Sequence, residues 1–180
     1  VGVIARPVAD CALFAGAVSG RDLGDPDVGP GTAPRIGICR SPTWDAAATE
    51  TQSLLVRVTE ALSRAGASVI HRELPESFNA LVEAHPITMN SESARALGWE
   101  LANHPDQLSE GLRERMAFGL NQSEAAVRNA YAVFETTQRA FPGAMDGLDI
   151  LVTPSAPGEA PMRLEWTGDP AFNSIWTSLH

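Results

Sequence analysis

The chain has 180 residues and a formal net charge of −9, with 22 Asp and Glu against 13 basic residues, every one an arginine. That length suits one domain with a sizeable core. The acidic balance argues against nucleic acid, whose partners carry a basic face, and against anionic membrane surfaces, while the lack of lysine removes one catalytic group outright.

Residues 8–19 read as a helix. Asp10 stands in its first turn, where a negative charge suits the helix dipole, Val8, Leu13, Phe14 and Val18 give apolar surface, and Gly20 fits the position just past the end. Residues 21–34 form a loop, because Gly24, Asp25-Pro26, Gly29-Pro30-Gly31 and Pro34 sustain neither a helix nor a central strand. A short strand follows at 36–39. The clearest helix spans 49–65: Thr49 and Gln52 have capping-box spacing, and Leu54, Leu55, Val58, Ala61, Leu62 and Ala65 fall on one face. Gly66 ends it, and 68–74, with Val69 and Ile70, reads as the next strand. Strand, capped helix and strand with short links is the sequence form of a βαβ unit with parallel strands.

Residues 78–141 are helical: one helix or two over 78–99, another over 108–120, and a third over 123–141 with Ser123 as N-cap and Val127, Tyr131, Phe134 and Phe141 on one face. Pro142-Gly143 is expected to stop it. Residues 149–153 read as a buried strand closed by Pro154 and Pro157, and Asp169 with Pro170 at the first helical position opens a final short helix. The fold class is therefore α/β over 1–180, with mixed or parallel strands, flanking helices and a helical excursion at about 78–141. No apolar run is long enough to span a bilayer and no signal peptide is visible. Cys11 and Cys39 make no disulfide framework, and a cytoplasmic home is expected.

The residues show no convincing catalytic group and no metal or cofactor site. His71, His85, His104 and His180 lack zinc spacing, and Asp22, Asp25 and Asp27 lack the alternation and closing glutamate of a calcium loop. Gly29, Gly31 and Gly37 precede a strand, where a dinucleotide fingerprint must follow one. Ser155 sits just past the strand at 149–153, but Pro154 and Ala156 replace the glycines that a hydrolase elbow needs. Cys39 reads as a small buried apolar thiol.

Several short runs, in order, resemble the amidase signature family. Ala5-Arg6-Pro7-Val8-Ala9-Asp10, within the run from Gly2 to Asp10, is similar to that family's Ala-Arg-Ser-Val-Ala-Asp helix opening, with Pro7 where serine is common. Gly20-Arg21-Asp22 with Asp25-Pro26, Arg35-Ile36-Gly37-Ile38, Ala65-Gly66-Ala67, Asp149-Ile150-Leu151-Val152-Thr153-Pro154 and Gly168-Asp169-Pro170-Ala171-Phe172-Asn173 complete the series. The resemblance implies a partial amidase-signature fold and an enzyme that hydrolyses carbon–nitrogen bonds of small-molecule amides, without nucleic acid, membrane or cofactor. Family members use a serine nucleophile, a second serine on a cis peptide, and a lysine that acts as base once burial makes its neutral form accessible. None of the three can be assigned to a residue here, so they are expected before Val1 and the segment is expected to be an internal fragment, inactive alone. Flanking strands lost with them are expected to leave an apolar face, so that the segment folds poorly or associates. The same resemblance makes the helical excursion the wall of a substrate cleft, with His85, Met89, Trp99 and Trp176 as lining candidates; ordinary core packing is the plainer account of Met and Trp at helical spacings. Two other roles fit the sequence: a degenerate, non-catalytic binding or assembly module, and part of the A-type subunit of a tRNA-dependent amidotransferase. An unrelated small-molecule-binding α/β domain fits the motif series least. Oligomeric state is not specified.

Overall fold

The computed structural model describes residues 3–25, 28–29, 31–162 and 166–179; Gly2, Pro26, Asp27, Pro30 and His180, named above, lie outside the described residues. Two compact units result, Val1–Pro34 and Arg35–His180.

In the first unit, α1 (Val8–Ser19) carries Asp10 in its first turn and ends on Gly20, whose φ of 68° is left-handed. None of its residues is buried. Asp22 accepts the Gly24 N–H at 2.9 Å, so this carboxylate supports a turn at a second left-handed glycine.

The second unit is built on a three-stranded sheet of order β2-β1-β3, parallel throughout. Strand β1 (Arg35–Cys39) leads through α2 (Thr49–Arg64) to β2 (Ser68–Arg72), with Ile36 opposite Val69 and Ile38 opposite His71. The box expected at Thr49 does not form. Ala48 is the N-cap, Thr49 is already helical, and Gln52 Nε2 instead donates to the Ala47 carbonyl at 2.9 Å. Ile36 and Ile38 bury against Leu55 of α2, with Trp44, Leu62, Val69 and Val152 around them. Gly37, between the two isoleucines on the opposite face, has no room for a side chain: a Cβ there would run into Leu148 and Leu151.

A short 3-10 turn (Glu76–Ala80) opens the excursion, which continues as α3 (Leu81–Ala96), α4 (Gly98–Asn103), α5 (Glu110–Leu120) and α6 (Glu124–Ala144). The 78–99 stretch is thus more than one helix, broken at Leu97, whose φ and ψ of −104° and 18° are non-helical. Ser123 caps α6 as its sequence suggests, accepting the Ala126 N–H at 3.1 Å. Pro142 does not stop that helix. It falls in the last turn, where one lost N–H breaks little, and Met145 N–H closes onto the Phe141 carbonyl at 3.1 Å. Helix α3 packs against α5, α6 and α7 (Ala171–Thr177), and Phe78, Leu81 and Ile175 form a second core at 0% exposure.

Strand β3 (Ile150–Val152) crosses back to the free side of β1, with Ile36 opposite Ile150. It is shorter and less buried than its apolar run suggests, and Ile150 is 47% exposed. The reason is its place at the sheet edge: among the described residues it has one strand neighbour. Asp149 clamps its start, accepting the Arg35 N–H at 2.8 Å and the Arg35 guanidinium at 2.8 and 3.2 Å.

Candidate functional site

The chain leaves β1 toward β2 on one side and returns to β3 on the other. That reversal makes a topological switch point, and in open α/β sheets ligands gather outside the strand carboxyl ends there. The loops that leave β1 and β3 at this end are tied together, Ala48 N–H donating to the Pro157 carbonyl at 2.7 Å. In the first loop the Ser41 and Thr43 hydroxyls share a bond of 2.8 Å.

A two-lobed cleft runs from Thr43 across α3 to α6 and α7. Its larger lobe, about 710 Å³, lies between the first turns of α3, the stretch 166–171 and the start of α7. Arg115 and Asp169 are its charged groups, and Asp169 also caps α7, accepting the Ala171 N–H at 2.9 Å. The smaller lobe, about 400 Å³, lies between α3, α6 and the end of α7. His85, Met89 and Thr177 line both lobes and so form the neck between them. Both volumes fall in the range of small-molecule sites.

Helical spacing builds the smaller lobe. Residues 85, 88, 89 and 92 present one stripe of α3, and 131, 134, 135 and 138 present the facing stripe of α6. Gln138 Nε2 donates to the Ser178 carbonyl at 2.9 Å, tying α6 to the end of α7. Tyr131 donates its hydroxyl to Glu92 Oε1 at 2.5 Å. This bond, with burial next, raises the tyrosine's pKa. Burial lowers that of His85, favouring the neutral ring.

Two of the four expected lining residues, His85 and Met89, therefore meet at the neck. Trp99 stands on α4, 64% exposed, with its ring 5.2 Å from that of His104, and lines neither lobe. Trp176 turns to the other side of α7, edge-to-face with Phe141 at 6.3 Å, and lines a separate hollow of about 440 Å³ beside β3. Its Nε1 is buried without a hydrogen-bond partner. The residues that sequence reading missed are Glu92, Tyr131 and Glu135. Their signal was the i, i+3, i+4, i+7 spacing, which marks a helix face without saying what faces it.

No activated nucleophile stands in the described residues. Burial pushes the Cys39 thiol up to about 11, far from the thiolate that attacks. Ser155 is exposed and bonds to the Asn173 amide at 3.2 Å, which cannot serve as a base. Among the described residues no three His, Cys, Asp or Glu side chains are grouped to hold a metal, and no helix is long and apolar enough to cross a membrane.

A parallel β2-β1-β3 sheet with a helical insertion walling a cleft that reaches Thr43 in the loop after β1 defines an α/β protein with a small-molecule-sized site. The Amidase family model matches residues 1–179, and the chain belongs to that family. Among solved structures, one described as the crystal structure of an amidase superposes with a TM-score of 0.80 at 24% identity, over 97% of this chain and 42% of that one. A structure from work on a vestigial protein complex and the origins of an s-triazine catabolic enzyme gives 0.71 at 20% identity, over 96% and 42%. A bacterial aryl acylamidase of the amidase signature family gives 0.58 at 18% identity, over 82% and 34%. The chain thus spans about two fifths or less of the length of each of these structures. No match is found among curated proteins.

Proposed function

We propose that residues 1–180 are one part of an amidase that hydrolyses carbon–nitrogen bonds of small-molecule amides, and that the cleft at the His85–Met89 neck walls its substrate site. The observation that carries this reading is the family match across residues 1–179. The serine pair and lysine of the amidase-signature mechanism come, in this reading, from chain outside these residues, since the segment has no lysine and no activated nucleophile among its described residues. Alone it is inactive. Its role is to bind and orient the amide, while its net charge of −9 suits neither nucleic acid nor an anionic bilayer.

The test supplies in trans the portion of a related amidase that this chain does not cover, then measures ammonia or amine release from aliphatic amides and anilides. Release that needs both parts is expected, and His85→Ala and Met89→Ala should change the order of preferred amides. If the parts associate and no amide is cleaved, the chain is an assembly module and the amidase reading fails.

A further inference from the structure

Resting on the reading of the cleft as an amide site, we infer that its smaller lobe is a subsite for a positively charged organic group, an ammonium or amidinium carried by the substrate. Four ionisable side chains line this lobe: Glu92, Glu135, His85 and Tyr131. No arginine lines it, and His85, kept neutral by burial, adds no positive charge. The lining of the lobe therefore carries two carboxylates and no cationic side chain, and Met89, Tyr131 and Phe134 line it beside them.

Both carboxylates keep capacity for a ligand. Glu92 accepts the Tyr131 hydroxyl on Oε1, which fixes the carboxylate's direction without neutralising it. Glu135 accepts Arg139 on Oε2 at 3.0 Å, an exposed i, i+4 pair that contributes little and exchanges readily. Arg95 also acts on Tyr131, from outside the lining. The Tyr131 and Phe134 rings stand edge-to-face, centroids 6.3 Å apart at 77°, and a cation seated over an aromatic face gains further attraction. An anion would meet two like charges. A flat or slender cation satisfies both the charge and the walls, and about 400 Å³ accommodates one.

Calorimetric titration of the full chain with benzamidinium, with benzamide as the neutral partner of the same shape, tests this. Benzamidinium should bind at least about tenfold more tightly than benzamide, the scale of one charged hydrogen bond. Glu92→Gln and Glu135→Gln should each weaken benzamidinium about tenfold and leave benzamide unchanged, with circular dichroism confirming that each variant folds. Equal binding of the two probes, no binding of either, or loss of both probes alike in a folded variant overturns the subsite. The amidase reading fails separately. Hydrolysis in the complemented enzyme with no preference for cationic amides would remove the subsite and leave the amidase. Charge-dependent binding with no hydrolysis would do the reverse.

Discussion

Gly119 lies where α5 crosses α3. A Cβ at this position would collide with the Asn90 carbonyl and the Ser91 N–H, which are backbone atoms of α3 and cannot rotate away. Ser91 Oγ donates to the Gly119 carbonyl at 3.2 Å, so the close approach is also hydrogen-bonded. Gly119→Ala must therefore move one helix, and overpacking of this kind costs about 1–3 kcal/mol or more. Gly111, in the first turn of the same helix, has nothing within 4 Å of its missing Cβ, so Gly111→Ala should be neutral or stabilising by up to about 1 kcal/mol. Urea denaturation of the two variants checks the contrast: the midpoint should fall for one and hold or rise for the other, at constant m-value. Equal midpoints would mean that α3 and α5 are not in close contact.

At the scale of an element, α6 rests on a single polar side chain at its start. Ser123 accepts the Ala126 N–H at 3.1 Å, satisfying one of the four donors that a helix end leaves free. Ser123→Ala should cost about 1 kcal/mol, read as a lower denaturation midpoint, and Ser123→Asp should restore it. This cap was legible in the sequence, as were the bounds of α1 and nearly those of α2, because each rests on local chemistry: a capping residue, a 3.6-residue apolar period, a terminal glycine. Pro142 misled because a proline in the last turn removes one bond, whereas the same residue further inside would break the helix. Strand β3 misled because Ile150-Leu151-Val152 has the composition of a buried strand, and composition does not say which strand takes the edge. The cleft was half legible for the same reason. Residues 85 and 89 share a face of α3 by spacing alone. That Tyr131 and Glu135 form the opposite wall depends on how α6 packs on α3, and that Trp176 turns toward Phe141 depends on which side of α7 meets the second core.

Acid should act on the whole molecule in two separate steps. The net charge of −9 at neutral pH falls to zero near the sequence isoelectric point of about 4.8, and loss of net charge removes the repulsion that keeps molecules apart. Exposed apolar side chains, Leu13 at 75% and Trp99 at 64% among them, then favour association without any change in fold. The second step belongs to Asp149. Hydrogen bonds from the Arg35 side chain and backbone hold its carboxyl down at about 2, below the ordinary value of about 3.9 that it takes when unfolded. A carboxyl lowered on folding contributes stability that is complete above its unfolded pKa and is lost as pH falls toward the folded one. The Arg35 clamp between β1 and β3 should therefore weaken between about pH 4 and pH 2. Light scattering should peak near pH 4.8 with far-UV circular dichroism unchanged, and the dichroism should decline only at lower pH. Asp149→Asn should reduce stability at pH 6, and its deficit against the original chain should shrink as the pH falls from 4 to 2. A deficit that stays constant across that window would mean that the charge on Asp149 does not hold the strand ends together.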